Sequence, residues 1–153
     1  HVTNTPGILN DAVADMSMAL LLAVARRVPE GDRIVRSGGF KANFYHLLWG
    51  ADLRGENLGI IGMGSIGQDV AKRAIPFGLN IKYHNRNRLS KNIESSLNGE
   101  WMSLEGLLKS CRYIVILCPL TKETKHLITI KEFESMKKDS FLILLFNLSI
   151  KSF

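Results

Sequence analysis

The chain has 153 residues, 46% of them apolar and 22% charged, with a net charge of +6. That size supports one domain with a sizeable core, and the composition excludes a disordered chain. The basic residues are spread over many segments without interleaved aromatics, so no nucleic-acid partner is expected, and Cys111 and Cys118 offer no disulfide framework, which fits a reducing, cytoplasmic setting.

Asn10 is the predicted cap of a helix over residues 11–28, with Asp11 and Asp15 near its positive end and Arg26 and Arg27 near its negative end. Val13, Met16, Leu20 and Val24 recur at helical spacing, and Leu21, Leu22 and Ala25 widen the stripe, so burial on more than one side is expected. Its most apolar stretch, residues 16–25, is too short to span a bilayer, and no signal peptide precedes it, so no membrane partner is expected. The first residue is His1 rather than Met, as in a fragment or a processed product. Residues 31–50 read as a polar second helix, a glycine-rich connection and an aromatic cluster of Phe44, Tyr45 and Trp49.

A regular alternation follows: a strand at 57–61, a helix at 65–77, a strand at 80–84, a polar loop to 100 and a short helix over 103–110. Residues 112–117 form a strongly apolar strand, Thr129 and Glu132 are spaced as a capping box opening a helix to about 137, and residues 141–146 form a last apolar strand. Strands alternating with helices at this spacing predict an α/β fold with a parallel sheet covered on both faces. The last strand would leave an apolar edge, which invites aggregation. No internal repeat is visible.

The most informative segment is Leu58-Gly-Ile-Ile-Gly-Met-Gly-Ser-Ile-Gly67, an apolar strand running into Gly62-x-Gly64-x-x-Gly67. Gly62 would allow the tight turn, Gly64 would let the backbone approach a phosphate, and Gly67 would let the helix pack close to the strand. The helix that opens near Ser65 would aim free backbone N–H groups at a pyrophosphate. Strand, glycine turn, helix and second strand together predict a dinucleotide site in a Rossmann-like doubly wound sheet.

Further motifs carry a family resemblance. Val2-Thr-Asn-Thr-Pro-Gly7, Leu53-Arg-Gly55 followed by the glycine segment, and Cys118-Pro-Leu-Thr-Lys-Glu-Thr124 closely resemble the cofactor-binding domain of D-2-hydroxyacid dehydrogenases. Within that family, Tyr83-His-Asn-Arg-Asn-Arg88 is most similar to the glyoxylate and hydroxypyruvate reductase branch. The likeness covers about residues 2–143, and residues 144–153 diverge. It implies reversible hydride transfer between a nicotinamide cofactor and a small 2-keto acid, in a two-domain parent that forms a homodimer and whose substrate domain this chain lacks. By the same resemblance Ser65 and Ile66 lie against the pyrophosphate, Pro119 lines the adenosine side, and Thr124 lies on the same loop.

The choice of cofactor follows from charge. An NAD site usually places Asp or Glu roughly 20 residues past the glycines to bind the ribose 2′-OH. Here Asn85 stands 18 positions after Gly67, followed by Arg86 and Arg88. With no carboxylate to repel a 2′-phosphate and two guanidiniums to clamp it, the expected cofactor is NADP(H), with NAD(H) as the alternative.

The catalytic side differs. Met136-Lys-Lys-Asp-Ser-Phe-Leu-Ile143 fits the family, but Asn147 stands where its substrate-binding arginine is expected, and its later glutamate and histidine have no counterpart. The change after Ile143 looks like read-through or a frameshift. His1, His46, His84 and His126 do not match the catalytic position. No catalytic residue and no metal ligand set is therefore assigned, and the chain is expected to bind cofactor without turnover. The competing expectations are a non-catalytic nucleotide-binding or interaction module, similar to the corepressors that share this fold, and a nonfunctional gene fragment.

Overall fold

In a computed structural model, the protein is described over residues 7–40 and 48–145. Expectations for Val2, Phe44, Tyr45, His46, Phe146 and Asn147 concern positions outside the described residues. Two helices, α1 (Asn10–Ala25) and α2 (Val28–Arg36), precede the sheet. Then follow β1 (Asn57–Ile61), α3 (Ser65–Ala74) with a 3-10 turn Ile75–Phe77, β2 (Asn80–His84), α4 (Lys91–Leu97) and β3 (Glu100–Trp101). The chain continues through α5 (Leu104–Ser110), β4 (Tyr113–Ile116), α6 (Ile130–Ser135) and β5 (Phe141–Leu144).

All strand pairings are parallel, in the order β3-β2-β1-β4-β5. β1 is central, flanked by β2 (Ile61 opposite His84) and β4 (Ile61 opposite Ile116). The chain thus winds outward from β1 in both directions, which opens a crevice at the carboxyl ends of β1 and β4.

β1, β4 and β5 feed two cores because successive side chains alternate between faces. Leu58, Ile60, Tyr83, Tyr113, Val115 and Ile143 pack with Ala14, Leu21, Val70 and Leu97 from α1, α3 and α4. Ile61, Ile114 and Ile116 pack with Leu107, Leu108 and Cys111 around α5. Burial on both faces explains why β1 and β4 read as continuous apolar runs.

Several boundaries differ from the sequence expectation. The helix predicted over 11–28 divides: α1 ends at Ala25, Arg27 takes a left-handed φ of 55°, and α2 begins at Val28. Pro29 is the physical reason, since it lacks an N–H and is tolerated in a helix's first turn but not in its interior. Asn10 lies inside α1 rather than capping it. The cap position is Leu9, without a side-chain bond. Nor is α1 buried on more than one side among the described residues. Ala14, Met18, Leu21 and Ala25 face the sheet, while Met16 and Leu20 are 52% and 38% exposed.

The polar loop expected up to residue 100 instead holds α4 and β3. The segment Lys-Asn-Ile-Glu-Ser-Ser-Leu lacks a long apolar stripe, and a two-residue strand is too short to show alternation. The helix expected to reach about 137 ends at Ser135, and its capping box of Thr129 and Glu132 is formed. No helix among the described residues is long and apolar enough to cross a membrane.

Candidate functional site: a glycine turn at the centre of the sheet

β1 leads into Gly62, whose φ of 100° is one that L side chains rarely adopt. A Cβ there would also come within 2.6 Å of the Cys118 backbone nitrogen. Gly67, in the first turn of α3, lies against the same turn, and a Cβ on it would stand 2.6 Å from the Gly62 carbonyl oxygen. Gly64 is different: a Cβ would meet no protein atom within 4 Å, and its φ of −81° suits any residue. The chain's own packing demands glycine at 62 and 67, and not at 64.

No side chain caps α3, and its first helical bond runs from the Gln68 N–H to the Gly64 carbonyl at 2.9 Å. The N–H groups of Ser65, Ile66 and Gly67 therefore have no acceptor within the helix, at the end where the helix dipole favours negative charge.

β2 brings Asn85 to the same turn. Its Oδ1 accepts from the Met63 N–H at 2.7 Å, and its Nδ2 faces the Met63 carbonyl at 3.5 Å. Asn85 thus braces the glycine turn, a role that sequence spacing did not reveal because the two positions meet only through the pairing of β1 with β2. The Trp101 indole donates to the Asn85 carbonyl at 3.2 Å, and His84 Nδ1 lies 2.9 Å from the Met102 carbonyl.

The loop after β4 closes on itself. Thr124 Oγ1 donates to the Pro119 carbonyl at 2.6 Å and accepts from the Thr121 N–H at 2.7 Å. Burial pushes the Cys118 thiol up from its ordinary pKa, and that of Cys111 more strongly, to about 11. The Glu123 carboxyl is held below the usual carboxylate range, first by the Thr121 hydroxyl and least by the charge of Arg86.

These elements enclose a cavity of about 650 Å³ at the carboxyl ends of β1, β2 and β4. Gly62, Gly64, Ser65, Ile66, Gly67, Asn85, Arg86, Pro119 and Thr124 all line it. Arg88, the remaining candidate, is not brought to it. Its guanidinium turns to Glu94, with Nε 2.7 Å from Oε1 and Nη2 2.9 Å from Oε2. Thr121 and Glu123 also line the cavity, although the sequence singled out neither. The signal available for them was their place in the Cys118–Thr124 motif.

Residues 18–145 match the family model of the D-isomer specific 2-hydroxyacid dehydrogenase, NAD binding domain. The chain is 48% identical over 147 residues to the glyoxylate reductases of Pyrococcus horikoshii and Thermococcus litoralis, covering 94% of this chain and 44% of each relative. It superposes on the TT0316 protein of Thermus thermophilus with a TM-score of 0.87 at 45% identity, covering 94% of this chain and 44% of that one. A glyoxylate reductase from Paecilomyes thermophila gives 0.82 at 34% identity, covering 92% and 41%. The chain spans less than half the length of these relatives. With a glycine turn at the switch point of a doubly wound parallel sheet and a family match over most of its length, the chain belongs to the NAD-binding domain family of the D-isomer-specific 2-hydroxyacid dehydrogenases.

Proposed function

We propose that this chain is the cofactor-holding half of an NADP(H)-dependent reductase acting on a small 2-keto acid of the glyoxylate or hydroxypyruvate type. The observation that carries the cofactor choice is the end of β2, where the cavity is lined by Asn85 and Arg86 and no carboxylate stands at position 85. The substrate class rests on the relatives named glyoxylate reductase. When bound, the nicotinamide cofactor supplies the hydride.

The residues present suit such a cofactor. The N–H groups of Ser65, Ile66 and Gly67 would receive the pyrophosphate, and the absence of a Cβ at Gly64 would leave room for it beside the backbone. Arg86 would pair with the 2′-phosphate through charge-assisted bonds, while Pro119 and Thr124 would bound the adenosine side. Residues 1–153 offer no general acid at the family's position, so this stretch by itself would bind without catalysing.

Titrating the protein with NADPH and NADH tests this. NADPH is expected to bind at least about tenfold more tightly, and Arg86→Ala to remove that preference. Equal affinities, or an unchanged NADPH affinity in Arg86→Ala, would sink the cofactor assignment. Turnover of glyoxylate with NADPH by the chain alone would sink the claim that it only binds.

A second reading is a non-catalytic module that self-associates. It is favoured by Met16, Leu20, Val28 and Val35, which α1 and α2 leave 52%, 38%, 58% and 60% exposed. The same surface suits the homodimer expected of the parent. Concentration-dependent dimerisation in sedimentation, abolished by Met16→Glu with Leu20→Glu, is the expected outcome, and monomeric behaviour at all concentrations would count against it.

A further inference from the structure

The segment after β2 carries a hydrogen-bond network outside the cavity. The Tyr83 hydroxyl donates to Glu94 Oε1 at 2.6 Å and accepts from the Leu89 N–H at 2.9 Å. Arg88 grips both oxygens of the same carboxylate. Glu94 is only 9% exposed, a position a carboxylate holds at low cost only when paired and hydrogen-bonded. The other end of the segment is fastened at Asn85, by Met63 and Trp101. Between the two anchors lie Asn87 and Arg86, and Arg86 lines the cavity.

We propose that Glu94, with Tyr83 and Arg88, is a specificity-positioning device that holds residues 85–89 so that Arg86 meets the cofactor's 2′-phosphate. In this arrangement Arg88 acts through Glu94 and does not itself clamp the phosphate. The inference rests on the NADP(H) reading given above. Two roles for Arg88 then make opposite demands. If Arg88 clamped the phosphate, Glu94 would compete for its guanidinium, and neutralising Glu94 would tighten NADPH. If Glu94 positions the segment, the same change loosens Arg86 and weakens NADPH, even though it removes a negative charge.

The experiment is a fluorescence titration of the protein with NADPH and with NADH, for wild type, Arg86→Ala, Glu94→Gln, Tyr83→Phe and the double variant Arg86→Ala/Glu94→Gln. Glu94→Gln is expected to weaken NADPH about fivefold, the scale of one or two lost hydrogen bonds, and to change NADH by less than about twofold. In the Arg86→Ala background it is expected to add nothing, as required of a residue that works through Arg86. Tyr83→Phe changes no charge at neutral pH and is expected to weaken NADPH in the same direction by about twofold. It stands in if Glu94→Gln fails to melt cooperatively. NADPH binding unchanged or tightened in Glu94→Gln, or an undiminished preference in Tyr83→Phe, overturns the inference alone when Arg86→Ala still loses the preference. Equal wild-type affinities, or no effect of Arg86→Ala, overturn the NADP(H) reading and this inference with it.

Discussion

Gly62, Gly64 and Gly67 are the same residue type with different physical obligations. At 62 the positive φ and at 67 the 2.6 Å approach to the Gly62 carbonyl are demands of the fold itself. At 64 the fold makes no such demand, and on the proposed reading glycine there leaves room for a phosphate beside the backbone. Two substitutions separate these causes. Gly67→Ala is expected to lower the melting temperature, because the helix must shift off the turn, and to weaken binding as a consequence. Gly64→Ala is expected to leave stability within about 0.5 kcal/mol, as for a surface change, while weakening NADPH about tenfold or more. Calorimetry and cofactor titration on both variants check this, and undiminished binding in Gly64→Ala would remove the phosphate from that position. The pattern of three glycines was legible in the sequence, as were the turn at Gly62 and the close packing at Gly67; the atoms those two face, the Cys118 backbone and the Gly62 carbonyl, were not, because they belong to a different strand or turn.

At the level of elements, α1 and α3 cover one face of the sheet together with α4. Leu21 is fully buried between them and the strands, with Ala14 and Met18 beside it. Leu21→Ala is expected to cost about 2–5 kcal/mol, the range for a large-to-small change that leaves a cavity, read as a lowered denaturant midpoint. Met16→Ala, on the exposed stripe of the same helix, is expected to cost far less in the monomer. On the surface, Arg73 of α3 reaches Asp15 and Asp11 of α1, both at 2.7 Å, which ties the two helices across their solvent edge. β1 and β4 were legible because burial on both faces makes them apolar, and β2 because its buried Ile81 and Tyr83 alternate with more exposed residues. α4 was not, since a seven-residue helix turning only Ile93, Glu94 and Leu97 inward leaves too faint a pattern. The division between α1 and α2 was marked by Pro29, although the apolar periodicity runs through Val24 to Val28, past the end of α1 at Ala25.

For the molecule as a whole, stability is bounded by pH on both sides, for opposite reasons. The carboxyls of Glu30, Glu94, Glu105 and Glu132 are held below the ordinary value, chiefly by hydrogen bonds to Arg27, to Arg88 and then Tyr83, to Lys109 and to Thr129. Their contribution is present above the unfolded carboxylate value and is lost as pH falls through the lower folded values. Cys111 acts in the other sense. Burial raises its pKa from 9.0 to about 11, so its contribution is complete below pH 9 and is lost as pH rises toward 11. Melting temperature measured against pH is expected to fall at both ends, and Cys111→Ala to flatten the alkaline limb relative to wild type. An identical alkaline slope in the two proteins would show that the buried thiol does not contribute.

The fold class, the order of most elements and the location of the candidate nucleotide site were legible in the sequence alone, because these follow from local properties: apolar runs, helix-forming stretches and a glycine spacing within one strand-turn-helix unit. The sequence also separated Asn85 and Arg86 from the acidic residue usual at an NAD site. Tertiary structure decided what two neighbouring arginines do. Arg86 and Arg88 are indistinguishable as letters, yet one lines the cavity and the other is held by a carboxylate six residues away that also binds a buried tyrosine. It decided equally that Asn85 braces Met63, a contact made only when β2 lies beside β1. Such roles depend on which groups meet across the sheet, and that is a property of the packed chain.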